Sequence, residues 1–148
     1  GYIIMIFQVF VSGVLERFKP IPSFLFGLFV MGLGFIVLGF ASVSSAAFVF
    51  LGIFLFAVGE MISSPRIQEY ITWLAPKEKA GLYMGTNFLA VGIGGATSGV
   101  IYSTLSGYFA EAGNAGYVWY VLAAHMGAAI IMLWAFTKVM GEFTEREE

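Results

Sequence analysis

The sequence has no cysteine, a single histidine and very few charges, and each shortage excludes something. Without cysteine there are no disulfides and no thiolate metal sites, and the redox compartment is left undetermined. With 11% charged residues against 59% hydrophobic ones, the chain is unlike a soluble domain, where about a quarter of residues are charged. A chain of 148 residues cannot hide that much apolar surface in one aqueous core. A net charge of -2, with the seven Lys and Arg scattered along the chain, gives nucleic acid nothing to bind. Period-two alternation is also missing, and a barrel needs many more segments, so transmembrane strands are not expected. No basic leader followed by a small-residue cleavage site precedes the first apolar run.

What remains is long apolar runs. The fold class expected is all-α, a polytopic transmembrane helical bundle of about five helices, over residues 1–13, 22–43, 46–74, 80–105 and 117–137. The last four reach the roughly 20 residues that a spanning helix needs. The first does not: Tyr2 to Val11 makes about 15 Å of helix, half the hydrocarbon thickness. The chain is therefore expected to be truncated at its N-terminus, with the first helix cut short.

Lys and Arg alternate with the helices. Arg17 and Lys19 follow the first, Lys77 and Lys79 follow the third, and Lys138 and Arg146 follow the fifth. The connections around 41–46 and 106–116 carry none. Basic residues in short loops mark the cytoplasmic side, so the expected chain is multi-pass in a plasma or bacterial inner membrane, with its C-terminus in the cytoplasm. Trp73, Trp119, Tyr117 and Tyr120 fall near the helix ends, where aromatic belts are expected.

Two helices carry the informative residues. The fourth holds Gly81, Gly85, Gly92, Gly94, Gly95 and Gly99, with Gly81-xxx-Gly85 and Gly95-xxx-Gly99 at the spacing that lets backbones approach closely in lipid. That helix is expected to pack on protein. The third helix contains Glu60, Arg66 and Glu69 in otherwise apolar surroundings. Charge inside a membrane is costly, so each must face a partner or a wet cavity. Arg66 and Glu69 are spaced i, i+3 and can pair with each other. Glu60 has no such neighbour, and points to a substrate or proton path. A carboxylate in that setting can alternate between holding a proton and pairing with a substrate ammonium. Pro65 removes one backbone hydrogen bond and is expected to kink the helix. Ser63 and Ser64 either resatisfy the freed carbonyl or line a cavity at the bend. Asn87 makes either an interhelical hydrogen bond or a cavity contact, and Gln8 reads the same way. His125 reads as a packing residue. No His/Asp/Glu cluster has metal-ligand spacing and no nucleophile has a visible base, so neither a metal, a cofactor nor an enzyme activity is expected.

The stretch GEMISSPRIQEYITWLAPKEKAGLYMGTNFLAVGIGG resembles the tenth and eleventh helices of the major facilitator superfamily. The likeness is closest to its proton-coupled oligopeptide transporter branch, through Gly59, Glu60, Met61, Ser64, Pro65, then Leu74, Ala75, Pro76, then Gly81, Met84, Gly85, Phe88, Leu89 and Ala90. The turn SGVLERFKP is similar to the superfamily's G-x-L-x-D-R loop between helices eight and nine, with Gly13, Leu15 and Arg17 in place and Glu16 for the acid. The resemblance implies a major-facilitator-type fold, with the chain as helices 8–12 of the C-terminal half, a partial helical-bundle domain. It implies proton-coupled uptake of small peptides or similar solutes, a substrate or proton role for Glu60, and a missing N-terminal half as partner, alongside protons and the bilayer. The chain alone is expected to be inactive. Two departures stand out: Arg66 follows the proline where the branch has a small or apolar residue, and Asn87 stands where it has tryptophan. If those positions line the cavity, the substrate differs from an ordinary di- or tripeptide. Another facilitator carrier, or a non-transporting assembly protein, are the alternatives. The site set is thus Glu60, Ser64, Arg66 and Asn87, framed by Gly13, Arg17, Pro65, Gly95 and Gly99.

Overall fold

The computed structural model describes residues 2–15, 17–42 and 45–140. Glu16, Val43 and the acidic tail with Arg146 lie outside the described residues. Every regular element among them is helical: α1 Tyr2–Leu15, α2 Pro20–Gly39, α3 Ala47–Leu74, α4 Ala80–Glu111 and α5 Tyr117–Met140, with a 3-10 turn at Lys77–Lys79 between α3 and α4. Four of these are long and apolar enough to cross a membrane, namely α2 to α5. Among the described residues these are the five helices expected, four of spanning length and a short first one, α1, with only 14 residues.

Local chemistry sets the ends. α2 begins at Pro20, two residues earlier than expected, after the extended Lys19. Proline suits a first helical position, since its missing N–H has no partner there and its φ is already helical. α4 runs to Glu111 and not to 105. Hydropathy falls off at Ser106 and Gly107, but hydropathy does not end a helix. Gly113 does, by taking a left-handed φ of 74°. Its N–H donates to the Ala110 carbonyl and the Asn114 N–H to that of Phe109, the paired bonds of a Schellman cap. At 32 residues, α4 is about 48 Å long and exceeds the hydrocarbon layer. The α-helical assignment of α3 is unbroken across Pro65.

α2 is the centre of the bundle. It packs antiparallel against α3 on one side and α5 on another. The α2–α3 contact is made by glycines seven apart on each helix. A Cβ on Gly59 would stand 2.6 Å from the Gly27 carbonyl oxygen, and one on Gly34 would stand 2.8 Å from that of Gly52. No side chain fits at these four positions, so the backbones touch. In lipid, where apolar burial drives no association, such van der Waals contact is the main attraction between helices. Met31 and Leu38 of α2 and Ile62 of α3 close the seam. Towards α5, Gly32 faces Met126 and Gly39 lies under the Tyr120 ring.

The bundle has two unlike ends. The antiparallel pairing puts the 17–19 turn, the 75–79 turn and the end of α5 together. Arg17, Lys19, Lys77, Lys79 and Lys138 therefore gather at one end. The other end is aromatic: Phe35 sits 5.2 Å from Phe56 and 6.2 Å from Trp119, and Phe40 packs on Phe48 and Tyr120.

α4 departs most from expectation. No residue of α4 is buried. A Cβ added at Gly81, Gly85, Gly92, Gly94, Gly95 or Gly99 would meet nothing within 4 Å. The glycine helix expected to pack on protein has no partner on those positions among the described residues. Ring contacts tie its far end to α5, Tyr102 with Trp119 and Phe109 with Tyr117. The physical reason is geometric: α4 touches α3 and α5 only sparsely, and α2, the helix at the centre, already packs against both of them.

Candidate functional site

α3 carries most of the candidate residues, and its geometry sorts them. Its buried face, Gly52, Gly59, Ile62, Ser63 and Arg66, is turned towards α2 and the turn before it. Glu60 follows Gly59 by one residue, about 100° further round the helix. It lies at the midpoint of a 28-residue helix and is exposed. No hydrogen bond or ion pair reaches it among the described residues. Ser64, one turn further on, is half-buried on the Glu60 side of Ser63.

Arg66 is placed quite differently. Its side chain is only 3% exposed, and it donates from Nη1 to the Glu69 carboxylate, which is 32% exposed. A second bond runs from Nη2 to the Phe18 carbonyl oxygen at 3.3 Å, and Nε has no partner. The first contact was legible from the i, i+3 spacing. The second was not, because Phe18 lies 48 residues away in sequence. Together they fasten the α1–α2 turn to α3 at the basic end of the bundle. Arg66 is spent on its own chain, and a buried guanidinium so held is costly to uncover.

Asn87 is in a third place. It lines a groove of about 360 Å³ between the end of α3 and the start of α4, with Ile71, Leu82, Tyr83, Thr86 and Ala90. The Thr86 hydroxyl is turned back to the Leu82 carbonyl at 2.9 Å, so the wall it shows is largely apolar. Neither Glu60, Ser64 nor Arg66 lines this groove. The four residues singled out in the sequence therefore fall into three separate settings.

The framing residues are also located. Gly13 and Arg17 are exposed in and beside the α1–α2 turn, and Pro65 is half-buried one residue before Arg66. Gly95 and Gly99 lie on the bare part of α4. His125 is exposed on α5. Among the described residues no group of three or more metal-ligating side chains exists. Sequence reasoning missed the α2–α3 glycine seam. Its signal was there, in Gly27 and Gly34 and again in Gly52 and Gly59, each pair at the seven-residue period of long helix pairing. Comparison with protein-family models, curated proteins and solved structures gives no match.

Proposed function

We propose that the chain is part of a secondary active transporter, working by proton-coupled uptake of small peptides or similar solutes. One observation carries the reading. Glu60 sits halfway along an apolar helix long enough to span a membrane, exposed and without a partner among the described residues. An intramembrane carboxylate in that position calls for a wet cavity or a cationic partner on the outward side. A substrate site at mid-membrane between two helical halves supplies both. In that setting Glu60 takes a proton from one side, and yields it when an ammonium group of the substrate approaches. Ser64, one turn away, offers a hydroxyl to the same cavity. The resemblance of the Gly59–Ala90 stretch to the peptide-transporter branch is the second support. Arg66 stands outside this role, since it is buried towards α2 and holds the α1–α2 turn to α3.

The test is uptake of a labelled dipeptide into proteoliposomes holding the transporter that contains this chain, under an inward proton gradient. Glu60→Gln should abolish gradient-driven accumulation while leaving the protein folded. Full accumulation by Glu60→Gln would remove Glu60 from the mechanism. A protein that ignores peptides altogether would move the substrate to another class of solute.

A second reading is favoured by the bare glycines of α4: a membrane assembly protein whose partner subunit covers that helix. It differs in leaving Glu60 to pair with the partner subunit, so Glu60→Gln would then weaken assembly and have no transport phenotype.

A further inference from the structure

We propose that the groove between α3 and α4 is a binding site for an anionic phospholipid, with an acyl chain along the groove and the headgroup phosphate at Lys79. The proposal does not depend on the transport reading.

α3 and α4 meet at the 75–79 turn. Ile71 forms one wall of the groove, and Leu82, Tyr83, Thr86, Asn87 and Ala90 form the other. From Leu82 to Ala90 the second wall runs about 12 Å along the helix. Leu82, Tyr83 and Ala90 are exposed, so the groove opens outward from the bundle. Thr86 has already satisfied its hydroxyl within the helix, which leaves Asn87 as the amide on the wall, a donor for a lipid ester carbonyl. An apolar channel with a single amide suits a hydrocarbon chain and its linkage.

Charge then selects the headgroup. The turn at the closed end of the groove is Lys77-Glu78-Lys79, with both lysines exposed. α4 starts at once beyond it, with no acidic residue in its first turn and no side-chain cap on its N-terminus. The positive end of that helix therefore adds to the lysines. Arg17, Lys19 and Lys138 lie at the same end of the bundle. A covering protein helix is a poor alternative occupant, because it would strip water from exposed lysines, which interface cores avoid. A phosphate at the membrane surface leaves them wet.

The experiment is lipid retention by the purified chain in mild detergent, with phosphatidylglycerol and phosphatidylcholine of the same acyl chains as probes, read by native mass spectrometry. Phosphatidylglycerol should be retained preferentially. Lys79→Gln should lower its retention by about fivefold and leave phosphatidylcholine unchanged. Ala90→Phe, at an exposed position, should fill the groove and lower retention of both lipids, with the helical content preserved by circular dichroism. Equal retention of the two lipids, or phosphatidylglycerol bound undiminished by Ala90→Phe, would overturn the proposal. So would full displacement by inorganic phosphate, which would reduce the site to a bare anion contact, or an added polypeptide mass held in place of lipid.

Discussion

Two glycine-bearing surfaces of this molecule make a natural experiment. On α2 and α3, glycines seven apart bring two backbones into contact, and there is no room for a methyl group. On α4, more glycines at closer spacing meet open space. The density of small residues therefore does not say whether a helix is packed within its own chain. What decides is whether a second helix presents matching gaps at the same period. Gly27 and Gly34 find Gly52 and Gly59 because both pairs recur every seven residues on helices that run antiparallel across a short turn. Among the described residues α4 has no such counterpart.

The sharpest way to break the closed side is at its basic end, where Arg66 is sealed under the α1–α2 turn. Glu69→Leu removes the carboxylate and leaves a buried guanidinium with one long hydrogen bond to Phe18. Removing one partner of a buried pair costs about 3–5 kcal/mol. The lower figure applies, about 3 kcal/mol, because Glu69 is 32% exposed. The loss should appear as an earlier unfolding midpoint in mixed dodecyl maltoside and SDS micelles, followed by circular dichroism. An unchanged midpoint would mean that the ion pair adds nothing to the α2–α3 unit.

The seam itself comes next. Gly59→Ala places a methyl 2.6 Å from both the Gly27 oxygen and Met31 Cγ. The methionine can swing away, but the carbonyl belongs to a helix and moves only with it. Overpacking of this kind costs about 1–3 kcal/mol. The same micelle titration should show it, and Gly27→Ala should match it, because the two positions press on each other. If the two substitutions differ widely, the contact is not symmetric and the seam is looser than its geometry implies.

Much of this was legible in the sequence, and what was not has a physical reason in each case. The bounds of α3 were readable within a residue because turn chemistry and hydropathy change together at both ends. The end of α4 was not, since its polar tail is still good helix and only Gly113 can turn left-handed. Pairing of Arg66 with Glu69 follows from helix geometry alone. The Phe18 carbonyl enters only through tertiary packing, as does the face on which Glu60 stands. The basic end was visible in the alternation of Lys and Arg with the helices. The aromatic end was visible only in part, since Phe35, Phe40 and Phe56 are unremarkable among so many phenylalanines until α2, α3 and α5 are assembled.

The smallest expected effect is also the one that changes sign. In a helix interior glycine is worse than alanine by about 1 kcal/mol, through the backbone entropy it loses on ordering. At Gly59 that gain is overwhelmed by the clash with α2. At Gly95 and Gly99 nothing opposes it, because an added methyl meets no atom within 4 Å. Gly95→Ala and Gly99→Ala should therefore each stabilise the isolated chain by up to about 1 kcal/mol in the micelle titration. Should the same substitutions destabilise the protein in a lipid bilayer, a second helix must lie along α4 there, as close as α3 lies to α2. Stabilisation in both settings would mean that α4 faces lipid or water throughout, and the contrast between the two glycine surfaces would be one of function as well as of packing.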